Sequence, residues 1–371
     1  MIVLDPDCQN CTVLAVISDL CKGFKLLDPK SSSMGDLRKD YSIDRFVIVS
    51  PENNSVNDSK KCPFCPGNES MTNPSTLSLV AKDGMLQRLQ DTEDNYVQNW
   101  SVRVFESKNP VVTTTSENSY SDRPLYSEPA YGYHYVVVAS EKHKDSLASI
   151  STEQWSNVLV VIQDRLRWLY TQRGVTYVSI YVNHGKEAGG STPHAHLNVV
   201  TFSTIPPVIE QEAEAAHKIL NEKGICPMCQ TVSTETGGPR QILQTEGFVA
   251  FCPWAPSHPY EFWIYPKKHI TSFSKITQKE INDLSLILRA TLGGLANTMK
   301  SLSYNMVFHL SPEKKNNRQI HWHIEVYPQA DPWSGLERGY GVFLNKVTPE
   351  KAAEELGSAC RKELAGLVGI V

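Results

Sequence analysis

The sequence predicts an α+β fold made of one unit written twice, each copy an antiparallel sheet with one long helix. Three observations carry this expectation. Cys62-Pro-Phe-Cys65 and Cys226-Pro-Met-Cys229 are each followed by a lone histidine, His143 or His269, and then by a His-x-His pair, His194-Ala-His196 or His321-Trp-His323. The lone histidine stands 51 positions before the pair in the first series and 52 in the second. A segment of helical period lies between them both times. A fixed order recurring at near-constant spacing marks a duplicated supersecondary unit.

Residues 1–35 match neither copy, so Cys8, Cys11 and Cys21 read as unpaired thiols in a loosely ordered arm rather than as a third metal cluster. The first unit is expected over 36–210 and the second over 211–371. From Cys65 to His143 is 78 positions, but from Cys229 to His269 only 40, which places an insertion of about 38 residues within 66–130, where Asn, Ser, Thr and Asp crowd together. The β-branched and aromatic runs Tyr133–Ala139, Val175–Val182 and Leu197–Phe202, with Tyr260–Tyr265, Tyr304–Leu310 and Ile324–Tyr327, read as strands. Ser151 with Gln154 and Thr277 with Glu280 read as capping boxes that open the two helices. Trp155, Val158, Ile162, Leu166 and Leu169, and Ile281, Leu284, Leu288, Leu292 and Leu295, recur at three- and four-residue steps, so each helix has one buried stripe.

Composition limits the function classes. The 371 residues are 40% hydrophobic and 20% charged, close to globular averages, and 36 basic against 40 acidic side chains lack the excess that nucleic-acid tracking requires. No run of 18 apolar residues suggests a membrane span, and the early stretch Thr12–Ile17 lacks the basic flank of a signal peptide. Nine cysteines, four of them in two Cys-x-x-Cys pairs with histidines downstream, suit zinc in a reducing compartment better than disulfides, so a cytoplasmic location is expected.

Zinc takes four soft or borderline ligands, and the repeat nominates Cys62, Cys65, His143 and His194 for one ion and Cys226, Cys229, His269 and His321 for a second. A single Cys-Pro-x-Cys could equally be a redox motif or two buried thiols; two copies with matching histidines favour metal. On a strand His194 and His196 share a face, so one ring can hold metal while the other reacts. A neutral imidazole attacks phosphorus competently, and Gly189-Gly190-Ser191-Thr192-Pro193 offers amides and a hydroxyl beside it, with Asn198 on the same face.

Together, Cys62–Cys65, Trp100-x-Val-Arg-Val-Phe105, Ser191-Thr-Pro-His-Ala-His196 and Gly339-Tyr-Gly-Val-Phe-Leu-Asn345 followed by Pro349-Glu350 resemble the galactose-1-phosphate uridylyltransferase family. That family is a branch of the histidine-triad superfamily and includes ADP-sugar phosphorylase-like members. The resemblance implies two histidine-triad-like units, with His196 as nucleophile and His194 as a zinc ligand beside Cys62, Cys65 and His143. It implies Ser191 as a phosphate contact and Asn198, Arg103, Asn109, Gly339, Gly341 and Asn345 as further substrate contacts. Asn198 stands where the family usually has Gln, and Ala195 replaces the usual Pro. The Arg-rich stretch of the family is here Ser50-Pro-Glu-Asn-Asn54, so the base is not readable. Some members place a Glu and three His in the second half; Glu212, His309, His321 and His323 would form that alternative to the thiolate site.

The activity implied is transfer of a nucleoside monophosphate between a nucleotide sugar and a hexose 1-phosphate through a nucleotidyl-histidine, in a homodimer. A phosphorylase using inorganic phosphate, a hydrolase using water, and a nucleotide sensor without turnover are the alternatives.

Overall fold

The computed structural model describes residues 35–49, 61–82, 84–115, 121–122, 125–299 and 301–369. Cys8, Cys11, Cys21 and Ser50–Asn54 lie outside the described residues.

The chain runs β1 (Asp36–Lys39), β2 (Phe46–Val49), β3 (Ser75–Lys82), β4 (Met85–Leu89), β5 (Trp100–Glu106), β6 (Ser121–Asp122), β7 (Leu125–Pro129), β8 (His134–Val138), α1 (Thr152–Thr171), β9 (Tyr177–His184) and β10 (His196–Phe202). It continues through α2 (Pro207–Lys223), α3 (Pro227–Glu235), β11 (Gln241–Gln244), β12 (Phe248–Phe251), β13 (Phe262–Pro266), α4 (Gln278–Thr298), β14 (Tyr304–His309), β15 (His323–Pro328), α5 (Gly335–Tyr340) and α6 (Pro349–Leu367).

Where two sheets were expected, one large sheet forms. Eleven strands pair in the order β11-β12-β13-β15-β14-β9-β10-β8-β5-β3-β4. From the antiparallel β9–β14 contact outward, the order on one side is β9, β10, β8, β5, β3 and on the other β14, β15, β13, β12, β11. Left apart, β9 and β14 would each present a row of unpaired amides and carbonyls; pairing them removes both edges. The largest apolar cluster spans the join, with the five stripe residues of α1 and the five of α4 all within it.

The expected insertion carries regular structure. β4 extends the edge of the large sheet beside β3, while β6 and β7 join β1 and β2 in a separate four-stranded sheet of order β2-β1-β7-β6. Short strands with polar exposed faces carry weak alternation, which is why the Asn- and Ser-rich composition hid them.

Of the two expected capping boxes, Thr277–Glu280 forms in both directions. At Ser151 only half of it forms: Ser151 accepts from Gln154 N, but the Gln154 side chain turns away and its Nε2 donates to Ser101 O and Ala139 O, 2.7 Å each. The amide thus ties the start of α1 to β5 and to the end of β8. α6 packs on α4 at a close crossing, where a Cβ on Gly294 would lie 2.4 Å from Cys360 Sγ. No helix among the described residues is long and apolar enough to cross a membrane.

Candidate active site and metal centres

Antiparallel pairing sets His196 opposite Val138 and Asn198 opposite Val136, so the cavity-facing side of β10 is flanked by the same face of β8. A cavity of about 960 Å³ opens there, lined among others by Phe64, Ser107, Lys108, Asn109, His134, Ser191, His196 and Asn198. His196 is half-buried, and its Nδ1–H donates to the His194 carbonyl at 2.8 Å. That bond leaves the lone pair on Nε2, which has no protein partner among the described residues. Burial lowers the His196 pKa, opposed by the bond to His194 and assisted by His184, so the ring is neutral at neutral pH. Phe64 packs edge-on against it, with centroids 5.2 Å apart.

The loop before β10 is anchored by the other half of the chain. Asn305 Nδ2 on β14 donates to Ala188 O at 2.9 Å, and Ser303 Oγ donates to Glu187 at 2.6 Å. Gly190 lies so close to Asn183 O that a Cβ would sit 2.7 Å from it, which makes glycine the only residue that fits the turn presenting Ser191.

Cys62, Cys65, His143 and His194 converge, with all four ligand atoms within 4.8 Å of one another. His194 Nε2–H donates to Ser140 O at 2.7 Å, which turns its bare Nδ1 toward the sulfurs, 3.6 Å from Cys62 and 3.7 Å from Cys65. His143 Nδ1 lies 3.3 Å from Cys65 Sγ. Burial and the adjacent Cys62 push the Cys65 thiol up to about 11; a divalent cation would reverse that by stabilising the thiolates directly. Two sulfurs and two imidazoles, one of them oriented by a carbonyl, form a donor set that suits zinc. The knuckle rests on Phe105, Val136 and Val138, and Glu69 tethers it by accepting from Gly67 N and Trp100 Nε1.

The second cluster repeats this. Cys226 caps α3 and Cys229 lies in its first turn, while His269 and His321 complete a set again within 4.8 Å. Cys229 Sγ is 3.2 Å from His269 Nδ1 and 3.7 Å from His321 Nδ1. Burial, with His269 and His323 alongside, pushes His321 down to about 4, which leaves it neutral and free to ligate.

The alternative set Glu212, His309, His321 and His323 does not form as written. His321 belongs to the thiolate cluster, and Glu325 takes its place beside Glu212, His309 and His323. Alternation puts His323 and Glu325 on one face of β15, whereas His321 lies ahead of the strand, beside the thiolates. Glu325 occupies the position equivalent to Asn198. Its Oε1 accepts from His323 Nε2 at 3.1 Å, and the ring is 3% exposed and stacked on Tyr265 at 4.3 Å. The nitrogen that is free in His196 is blocked in His323.

Arg103 does not reach the cavity. Its side chain is 2% exposed, and it donates to Asp91 Oδ2 at 2.7 Å and Thr72 Oγ1 at 2.6 Å. Gly339, Gly341 and Asn345 lie off the cavity as well: Gly341 ends α5 in a left-handed turn, and Asn345 Nδ2 donates to Pro256 O and His258 O. Ser191, Asn198 and Asn109 do line it. Sequence reasoning missed His134, whose one signal was a histidine within the otherwise apolar run Tyr133–Ala139.

A family model described as galactose-1-phosphate uridyl transferase, N-terminal domain, matches residues 38–206, and one described as domain of unknown function (DUF4921) matches 131–364. The chain belongs to the DUF4921 family, and its first half carries the galactose-1-phosphate uridyl transferase N-terminal domain. It is 27% identical to an ADP-glucose phosphorylase of Arabidopsis thaliana over 88% of this chain and 93% of that protein. It is 29% identical to a galactose-1-phosphate uridylyltransferase of Thermotoga maritima over 87% of this chain and 98% of the relative. Among solved structures, a uridylyltransferase superposes with a TM-score of 0.76 at 26% identity, covering 88% of this chain and 99% of that one. The Arabidopsis ADP-glucose phosphorylase crystallised with ADP-glucose gives 0.68 at 26% identity, with 86% and 98% covered. The protein is accordingly an enzyme of the nucleotidyltransferase class.

Proposed function

We propose that the enzyme moves a nucleoside monophosphate from a nucleotide sugar to a hexose 1-phosphate, by way of a covalent nucleotidyl-histidine on His196. The observation that carries this is the free Nε2 of a neutral His196, lodged beside Ser191 and Asn198 in an open cavity. Nε2 attacks the α-phosphorus. The N–P bond forms as the bond to the bridging oxygen breaks, and the sugar 1-phosphate leaves with the electron pair. A phosphate oxygen of the acceptor then attacks the same phosphorus and the imidazole departs. The His194 carbonyl stabilises the charge on Nδ1–H while the ring carries phosphorus, and Ser191 and Asn198 meet the non-bridging oxygens. The alternative, a phosphorylase passing the nucleotide to inorganic phosphate, is favoured by the second thiolate knuckle in place of a Glu and three-His set.

We read both Cys/His clusters as zinc sites, the first beside the cavity and the second in the other half of the chain, and the halves 36–210 and 211–371 as two copies of one histidine-triad-like unit, on the strand order they share. The thiols of the knuckles support a reducing, cytoplasmic setting. Gly339, Gly341 and Asn345, lying off their own cavity next to the exposed Tyr340 and Leu344, would reach a substrate only from a second copy, in keeping with a homodimer.

Wild-type protein incubated with UDP- and ADP-sugars labelled at the α-phosphate should retain acid-labile, base-stable label, and His196→Ala none. An unlabelled wild type with intersecting initial-rate patterns overturns the intermediate.

A further inference from the structure

We infer that His134 is a positioning residue for this transfer: it fixes the Asn198 carboxamide with its N–H₂ end toward the substrate phosphate. The inference rests on the reading of His196 as nucleophile. The chain of donors allows one arrangement. The backbone N–H of Val111, which can only donate, points at His134 Nδ1 at 3.3 Å, so Nδ1 carries the lone pair and the proton sits on Nε2. Nε2–H lies 3.2 Å from Asn198 Oδ1 and donates to it. The amide nitrogen of Asn198 is left with no protein acceptor among the described residues, on the cavity wall that His196 also lines. A flipped amide would set N–H₂ against Nε2–H and turn a carbonyl oxygen toward the phosphate, unfavourable at both ends.

Position in the sheet makes this contact. His134 pairs with Val200, so its side chain is the diagonal neighbour of Asn198 on the same face. The ring is 8% exposed, and burial lowers its pKa, with Asn198 opposing and His196 assisting, which keeps the ring neutral and able to accept from Val111. A side chain as short as Asn reaches a phosphate usefully only if its orientation is held, and His134 holds it before substrate arrives. That is preorganisation, which acts where charge develops.

Two measurements test this. In protein labelled with ¹⁵N-histidine, the His134 ring, assigned by its loss in His134→Phe, should be the neutral Nε2–H tautomer at pH 7. A charged ring or an Nδ1–H tautomer overturns the proposal independently of any activity. In the label-transfer assay, His134→Phe, which keeps the ring but not the donor, should slow nucleotidylation at least about tenfold, toward the roughly 10²–10³ expected for loss of the donor itself. The loss should fall on kcat with KM little changed and zinc content equal to wild type. His134→Gln, with an N–H₂ for Asn198 and an oxygen for Val111, should restore most of the rate. His134→Phe combined with Asn198→Ala should be no slower than Asn198→Ala alone, because one residue acts through the other. Losses that multiply, or a fully active His134→Phe, overturn the positioning role while leaving the nucleophile in place; a wild type that takes no label overturns both.

Discussion

Asp91→Asn asks whether Arg103 is a substrate contact or a structural ion. The Asp91 side chain is fully buried and accepts from Ser75 N at 2.7 Å, Val97 N at 2.8 Å and Arg103 Nη2 at 2.7 Å, while Arg103 Nε already lacks a partner among the described residues. Removing the charge leaves a buried guanidinium uncompensated, a change that costs about 3–5 kcal/mol. For 371 residues at about 2.1 cal/mol/K each, the unfolding entropy is roughly 0.8 kcal/mol/K, so the melting temperature should fall by about 4–6 °C. Thermal unfolding read by calorimetry at several scan rates, alongside KM for the nucleotide sugar, is the assay. Adding Arg103→Met to Asp91→Asn should recover much of the loss, because it removes the uncompensated buried charge while the carboxamide oxygen at position 91 can still accept from the backbone amides of Ser75 or Val97. Burial alone would raise the Asp91 pKa, but the bonds from Ser75, Val97 and Arg103 hold it below the usual carboxylate range. A lowered folded-state pKa means the contribution is complete above the unfolded value near 4 and disappears as pH falls through the folded one. An Arg103→Met protein with unchanged melting temperature and a raised KM would refute this account and return Arg103 to the substrate.

Freshly purified, unchelated protein should carry two zinc ions per chain by elemental analysis; Cys226→Ser should bring this toward one and lower the melting temperature, since structural zinc contributes directly to folding. His323→Ala should keep substantial exchange activity because Glu325 already occupies its Nε2; complete loss of turnover with fold and metal intact would contradict a single active histidine. The rate of label uptake should be flat around pH 7 and fall on acidification only below the ordinary histidine value near 6.5, because burial lowers the His196 pKa and protonation removes the attacking lone pair. A fall beginning above pH 7 would assign the titration to another group.

Both Cys/His clusters were legible because each piece is local. Cys-x-x-Cys needs one tight turn or one helix start, His-x-His needs only strand alternation, and equal spacing between the lone histidine and the pair reports equal intervening structure. The stripes of α1 and α4 were legible for the same reason, since periodicity along one element does not depend on its neighbours. What faces what across strands was not. The pairing that puts His134 diagonal to Asn198 is set by the register of β8 against β10, more than sixty residues apart in the chain. The burial of Arg103 depends on Thr72 and on Asp91, from the β4–β5 connection, meeting the same face of β5, and the merging of two expected sheets into one depends on the β9–β14 contact. Alternation assigns a side chain to one of two faces; only packing decides which face becomes core, which becomes cavity, and which distant backbone N–H fixes a tautomer.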